Sequence, residues 1–251
     1  FISLMFTVLM INIQSYAKIE LKSIVGIWLM EDDKNVVDMS KNGNNGEVKG
    51  KLELANGKFG KALKYPAQKD SFIEIKHNDS LNLTTFSFVM WVKLQPTNTY
   101  QCVIAKTADG LTENYSGYLM DSTKVFWTRF TSGGATKWQF QKFGTTPITD
   151  DNWHHLAGTY AMQSVKSYVD GKVEADAPFD GKPDKSEGPL TIGACTGMPY
   201  PINGLIDEVA LFNVALTSDD IKRIMESGLQ LALSVTPSAK LTTAWGNIKK
   251  F

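Results

Sequence analysis

The chain has 251 residues, 43% of them hydrophobic, 11% aromatic and 21% charged. That apolar share supports a large buried core and excludes a disordered tail. Lys and Arg total 26 and Asp and Glu total 26, so the neutral chain carries no electrostatic footprint for nucleic acid or an anionic membrane surface.

Residues 1–17 contain no charge. An apolar run, Ile2 to Ile13, leads into Gln14-Ser15-Tyr16-Ala17, with small residues at the −3 and −1 positions. This pattern predicts a secretory signal peptide, and the run is short for a membrane span. No basic segment precedes it and the first residue is Phe1, so the sequence is expected to start inside the signal. Cleavage after Ala17 would leave a chain beginning at Lys18. The expected location is secreted, extracellular or at the cell surface, with the periplasm as the alternative, and no membrane span in the mature chain.

Strand signals dominate from Ile24 to Asn213. Phe72-Ile73-Glu74-Ile75-Lys76 alternates. In Phe86-Ser87-Phe88-Val89-Met90-Trp91-Val92-Lys93, the residues Phe86, Phe88, Met90 and Val92 fall on one face, which is therefore core. Val103-Ile104-Ala105 and Tyr118-Leu119-Met120 follow. Val125–Phe130 and Lys137–Phe140 flank Ser132-Gly133-Gly134-Ala135, a hairpin turn. Next come His154–Tyr160 and then Val165–Val169, which runs through Asp170-Gly171 into Lys172-Val173-Glu174. Asp-Gly between alternating runs is a strong hairpin signal, because both turn positions need positive φ. Leu190–Gly193 and Leu205–Phe212 close the set.

Such short strands, with turns between them and no βαβ alternation, predict an all-β sandwich or jelly roll without a parallel sheet. One helix is predicted over 217–227. Thr217 caps it, Asp219 and Asp220 sit at its positive end, Ile221, Ile224 and Met225 form its stripe, and Gly228 stops it. Leu229, Leu231 and Leu233 then alternate as a strand would. Residues 18–233 are thus expected to form one domain. The basic stretch 234–251 reads as a tail that either docks through Leu241 and Trp245 or serves as a terminal tag.

Cys102 and Cys195 are the two cysteines. In an oxidising compartment they are a disulfide candidate if their strands are neighbours, since the Cα atoms must approach within about 7 Å. The alternative is a pair of buried thiols. Asn78, Asn82 and Asn114 begin glycosylation sequons, which matter only in a host that glycosylates.

Three clusters stand in a telling order. Gly26-Ile27-Trp28 precedes Asp38-Met39-Ser40-Lys41-Asn42-Gly43-Asn44-Asn45-Gly46. Asn152-Trp153-His154-His155-Leu156-Ala157-Gly158-Thr159-Tyr160 precedes Tyr168-Val169-Asp170-Gly171. Leu190-Thr191-Ile192-Gly193 precedes Asn203-Gly204-Leu205-Ile206-Asp207-Glu208-Val209 and the start of the helix. In this order and spacing, over roughly residues 24–227, the chain resembles the concanavalin A-like, laminin-G-like jelly-roll domains. The resemblance implies a two-sheet antiparallel jelly-roll sandwich of about a dozen strands, with one short C-terminal helix.

The 38–46 loop is rich in hard oxygen donors of the kind Ca²⁺ takes. It lacks the acidic residue that ends an EF-hand loop. The resemblance implies a structural Ca²⁺ held by Asp38 and Asp207 with Asn42, Asn44 or a loop carbonyl. The alternative is an Asx-turn loop in which Asp38 only accepts backbone amides. Glu31-Asp32-Asp33 reads as a solvated loop, with an alternative donor set for the ion as the second reading. His154 and His155 point to opposite faces of a strand and read as structural, and His77 reads as isolated.

The glycosidases built on this sandwich use Glu-x-Asp-x-x-Glu on one strand face, a spacing absent here. Asp207 and Glu208 are expected on opposite faces, so no catalytic pair is expected and the chain reads as a non-enzyme. Binding remains. Sugar recognition uses aromatic faces, and Trp127 with Arg129 on one strand, Trp138 on its partner and Tyr115 in a preceding loop are the candidates. The expected partners are a glycan or a cell-surface or extracellular protein. A self-assembling surface or filament module is the alternative reading, and a polysaccharide-active enzyme a more distant one.

Overall fold

The computed structural model describes residues 19–139 and 142–233. The expected leader at 1–17 and tail at 234–251 lie outside the described residues, as does Phe140 at the end of the second hairpin strand. Along the chain the strands are β1 (Ile24–Trp28), β2 (Asn35–Val36), β3 (Gly46–Lys49), β4 (Glu53–Asn56), β5 (Lys61–Pro66), β6 (Phe72–Ile75), β7 (Phe86–Leu94) and β8 (Gln101–Thr107). There follow β9 (Glu113–Leu119), β10 (Phe126–Thr131), β11 (Trp138–Gln139), β12 (Trp153–Tyr160), β13 (Ser164–Val169), β14 (Lys172–Pro178), β15 (Leu190–Ile192) and β16 (Asn203–Phe212). The helix α1 (Ser218–Leu233) comes last.

Two antiparallel sheets result. The first has the order β14-β13-β12-β7-β16-β5-β4, with β1 also paired to β16. The second has the order β11-β10-β9-β8-β15-β6-β3-β2. The sandwich therefore matches the expected fold, with more strands than the expected dozen. The unexpected strands β2 to β5 are short, β3 to β5 carry charged residues, and their alternation is weak without knowledge of what they pair with.

The main core lies between the sheets. Phe86, Phe88, Met90 and Val92 of β7 face Phe126 and Phe130 of β10 and Leu119 of β9. Phe88 and Phe126 meet edge to face, with ring centroids 6.3 Å apart. The Asp170-Gly171 turn has φ of 50° and 72° at its two residues, as the hairpin reading requires.

A second cluster covers the outer face of the first sheet. Ile221, Ile224 and Leu229 of α1 pack there on Val89, Ala157 and Phe212. Thr217 Oγ1 accepts the Asp220 N–H at 3.1 Å, while Asp220 Oδ2 accepts the Thr217 hydroxyl at 2.7 Å, so the helix start is capped from both directions. Gly228 ends the first helical segment, as expected: its φ of 72° and ψ of 162° are not helical, and a second segment runs on to Leu233. The expected strand over Leu229–Leu233 is overturned: Leu229, Ala232 and Leu233 are buried at helical spacing and Leu231 is exposed. The Leu229 N–H at the restart donates to the Glu208 carboxylate, which caps the second segment.

Glu208 reaches that position through a bulge. Between Asp207, opposite Trp91, and Ala210, opposite Val89, β16 carries two residues against one in β7. Glu208 takes φ of 53° there. Ile206 and Val209 keep to the core while Asp207 and Glu208 both turn to the outer side. The expectation that the two acids lie on opposite faces is thus corrected, because the bulge breaks the alternation between them.

Candidate functional site

Strand register builds one aromatic surface on the outer face of the second sheet. Cys102 of β8 pairs with Tyr118 of β9, and Tyr118 pairs with Trp127 of β10. One step along, Ser116 pairs with Arg129. The inner neighbours of these residues, Leu119, Phe126 and Phe130, belong to the core, so alternation sends Tyr118, Trp127 and Arg129 outward. The rings of Tyr118 and Trp127 stack at 5.8 Å. Tyr100 and Phe143 stand edge-on to Trp127 at 5.7 Å and 5.3 Å. With Trp138, Met198 and Tyr200 they line a cleft of about 240 Å³. Trp127 and Trp138 each carry a shielded indole N–H without a hydrogen-bond partner.

A buried ion pair lies at one side of this cleft. Glu113 is fully buried. Its Oε2 accepts Arg129 Nε at 2.8 Å and the Ser116 hydroxyl at 2.6 Å. Its Oε1 accepts Arg129 Nη2 at 2.5 Å and the Tyr118 hydroxyl at 2.9 Å. The Arg129 guanidinium lies over the Tyr118 ring at 4.1 Å and toward the Trp138 ring at 5.3 Å. A bidentate pair with each carboxylate oxygen doubly satisfied is the arrangement in which a charge tolerates burial.

Trp127, Arg129 and Trp138 are therefore brought together. Tyr115 is not with them. It lies within β9 rather than a loop, fully buried in the core with its ring 5.4 Å from Phe86, because its strand position has inward parity. Glu113, Tyr100 and Phe143 were not legible as site residues. Only an acidic residue opening an otherwise uncharged strand pointed to Glu113, and its partner Arg129 is 16 residues away.

Cys102 and Cys195 sit side by side beneath the aromatic surface, but no disulfide joins them and both are free. Cys195 Sγ is 2.9 Å from the Tyr118 hydroxyl, and Cys102 Sγ points toward the Ile104 carbonyl at 3.7 Å. Burial, then the neighbouring Cys195 thiol, pushes the Cys102 thiol up.

The expected calcium ligands do not converge. Asp38 Oδ1 accepts the Ile27 N–H at 3.0 Å and the Ser40 N–H at 2.9 Å, and Oδ2 accepts the Asn44 N–H at 3.0 Å. Asn42 Nδ2 donates to the Ile24 carbonyl and Asn44 Nδ2 to the Val25 carbonyl, both at 2.8 Å. These three side chains tie the 38–44 loop to β1 as an Asx-turn network. Asp207 serves a different loop, its Oδ2 accepting the amides of Lys58 and Phe59 at 2.8 Å and 2.9 Å. Its Oδ1 is buried without a partner, and burial pushes its carboxyl up to about 7.

His154 binds Asp170 at 2.8 Å and Asp150 at 3.1 Å. His155 is buried against Trp91, with ring centroids 5.2 Å apart and neither ring nitrogen paired. His77 is not isolated: it meets the buried Lys106 ammonium at 3.1 Å and Glu187 at 3.0 Å. Asn114 is also buried, bonded to Leu83 and Asp184. That leaves its sequon inaccessible in the folded chain.

Two antiparallel sheets with an aromatic cleft on one outer face define a jelly-roll domain with a site suited to binding. The family model Laminin_G_3, of the concanavalin A-like lectin/glucanases superfamily, matches residues 67–222, more than half of the chain. The chain belongs to this family. No curated protein matches it. Among solved structures, domain 4 of AbnA, an extracellular arabinanase of Geobacillus stearothermophilus solved with arabinotriose, is 20% identical with a TM-score of 0.64. The match covers 80% of this chain and 97% of that domain. The binding domain of botulinum neurotoxin DC, solved with SialylT, is 16% identical with a TM-score of 0.65, over 83% of this chain. The binding domain of Paraclostridial Mosquitocidal Protein 1 is 17% identical with a TM-score of 0.64, over 82% of this chain. The chain spans about half the length of both toxin domains, 52% in each case. At these identities the likeness shows the fold.

Two outcomes follow from the loop and the histidine. Asp38→Ala removes three amide hydrogen bonds to a buried carboxylate and should cost about 3 kcal/mol, measured by urea denaturation. A loss under about 0.5 kcal/mol would deny Asp38 its organising role. Burial holds the His155 imidazole down at about 3, against an ordinary 6.5, with Asp170 opposing the shift. A depressed folded-state pKa gives stability that is complete above pH 6.5 and lost as the pH falls toward 3. That share amounts to about 5 kcal/mol at most, and His155→Phe should flatten the difference in a pH series of melting curves. Parallel wild-type and variant curves would contradict it.

Proposed function

We propose that this chain is an exported, non-catalytic carbohydrate-binding domain that receives sugar rings in the Tyr100–Trp127–Trp138 cleft. The observation carrying this reading is the aromatic lining of this cleft, with the Arg129–Glu113 pair as its polar side. Sugar rings present C–H faces that stack on aromatic rings. An arabinanase domain solved with arabinotriose and a toxin binding domain solved with SialylT, both on the same fold, support the class of ligand. The non-catalytic part is supported by the cleft's carboxylate. Glu113 is engaged by Arg129, Tyr118 and Ser116, whereas glycoside hydrolysis needs two carboxyl groups flanking the scissile bond. Export rests on the pattern at residues 1–17.

Calcium enters the proposal only at Asp207. Its Oδ1 is the carboxylate oxygen without a partner, and Glu208 adds negative charge beside it.

Trp138 is half-buried on the edge strand β11, so Trp138→Ala should leave the melting temperature within a few degrees of wild type. It should weaken binding to any glycan found on a broad panel by at least tenfold, read by titration calorimetry. Binding unmoved by this substitution would place the site elsewhere. For the ion, chelator should lower the melting temperature of the wild type and leave Asp207→Asn unchanged, by mass action on the native state. A wild-type curve indifferent to chelator, with no metal found by elemental analysis, removes calcium from the proposal.

A further inference from the structure

The charge balance of the cleft narrows the ligand class. Arg129 is the cation in the cleft lining. Its Nε and Nη2 are bound to Glu113, and its side chain is only 12% exposed while that of Glu113 is 0% exposed. The guanidinium face is covered by Tyr118 and faces Trp138. The positive charge is thus cancelled at contact distance, and the Nε–Nη2 edge, one of the two that grip a carboxylate in bidentate fashion, is already occupied.

The other lining groups add no compensation. Tyr100, Trp138, Phe143 and Tyr200, the more exposed aromatic residues of the lining, carry negative quadrupole potential on their ring faces. A carboxylate entering this cleft would lose hydration, meet those faces and approach the Glu113 charge with no free cation to receive it. A neutral ring loses far less hydration and places C–H groups on the same faces.

We propose that the cleft selects uncharged sugar rings and rejects their carboxylated counterparts, with Glu113 setting that selection by neutralising Arg129. The inference rests on the carbohydrate-binding reading above. Glu113 is here a specificity determinant beneath the site, and its conversion to an amide would release the Arg129 charge toward the ligand.

The test uses the full chain and matched oligosaccharide pairs that differ only in oxidation at C6: galacto- and galacturono-trisaccharides, gluco- and glucurono-, manno- and mannurono-. Arabinotriose and an N-acetylneuraminic acid-terminated glycan are added as unmatched probes. Calorimetry at fixed ionic strength should give at least tenfold tighter binding for the neutral member of every pair that binds. In Glu113→Gln, checked for folding by near-ultraviolet circular dichroism, the ratio should fall to parity or reverse. Equal or tighter wild-type binding of the carboxylated members overturns the selection while leaving a carbohydrate-binding domain. An unchanged ratio in folded Glu113→Gln overturns the role of Glu113. If that variant does not fold, the wild-type ratio decides alone. Binding of no probe overturns the carbohydrate reading and this inference with it.

Discussion

Every central strand of this sandwich has to satisfy two faces at once, and the inner face sets the outer one. Phe86 and Phe88 of β7 and Phe126 and Phe130 of β10 interlock between the sheets. Once Phe126 and Phe130 point inward, Trp127 and Arg129 must point outward. A slip of one residue would bury the guanidinium among phenylalanines and expose those rings. Gly158 of β12 shows how tight the interior is, since the space a Cβ would need there is held by Phe88 and Thr128. The aromatic surface is therefore held in place by packing on the opposite side of the same strands.

The Glu113–Arg129 pair gives that surface its polar anchor. Burying both charges carries a desolvation cost that the pair recovers only through its geometry. Here each carboxylate oxygen accepts two hydrogen bonds and the guanidinium plane lies on an aromatic ring. The consequence is orientation more than stability. A guanidinium fixed at its edge and stacked on its face holds Tyr118 beneath it and faces Trp138 beside it. The thiol of Cys195, bonded to the Tyr118 hydroxyl, supports the same ring from below.

The opposite outer face follows a different logic. There the bulge in β16 brings Asp207 to the β4–β5 turn and Glu208 to the restart of α1. Both carboxylates serve backbone amides that a turn or a helix end leaves unpaired. The 38–44 loop uses Asp38 in the same way. A sequence rich in Asp, Asn and Gly suits an ion and an Asx-turn network about equally. Which of the two forms depends on whether the oxygens meet each other or meet amides.

The sequence by itself determined the all-β sandwich, the inward face of β7, the Asp170-Gly171 hairpin and the capped start of α1. Each of these depends on residues close together in the chain, through strand alternation, turn conformation or a cap three residues from its partner. It also marked Trp127, Arg129 and Trp138, which lie on one hairpin. Tertiary structure alone decided that Tyr115 belongs to the core, that Glu113 underlies Arg129, that a second helical segment follows Gly228, and that Asp38 and Asp207 serve separate loops. Those outcomes depend on register across β8, β9 and β10 and on a bulge in β16. Register and bulges are settled by contacts between residues far apart in the chain, and local pattern carries no record of them.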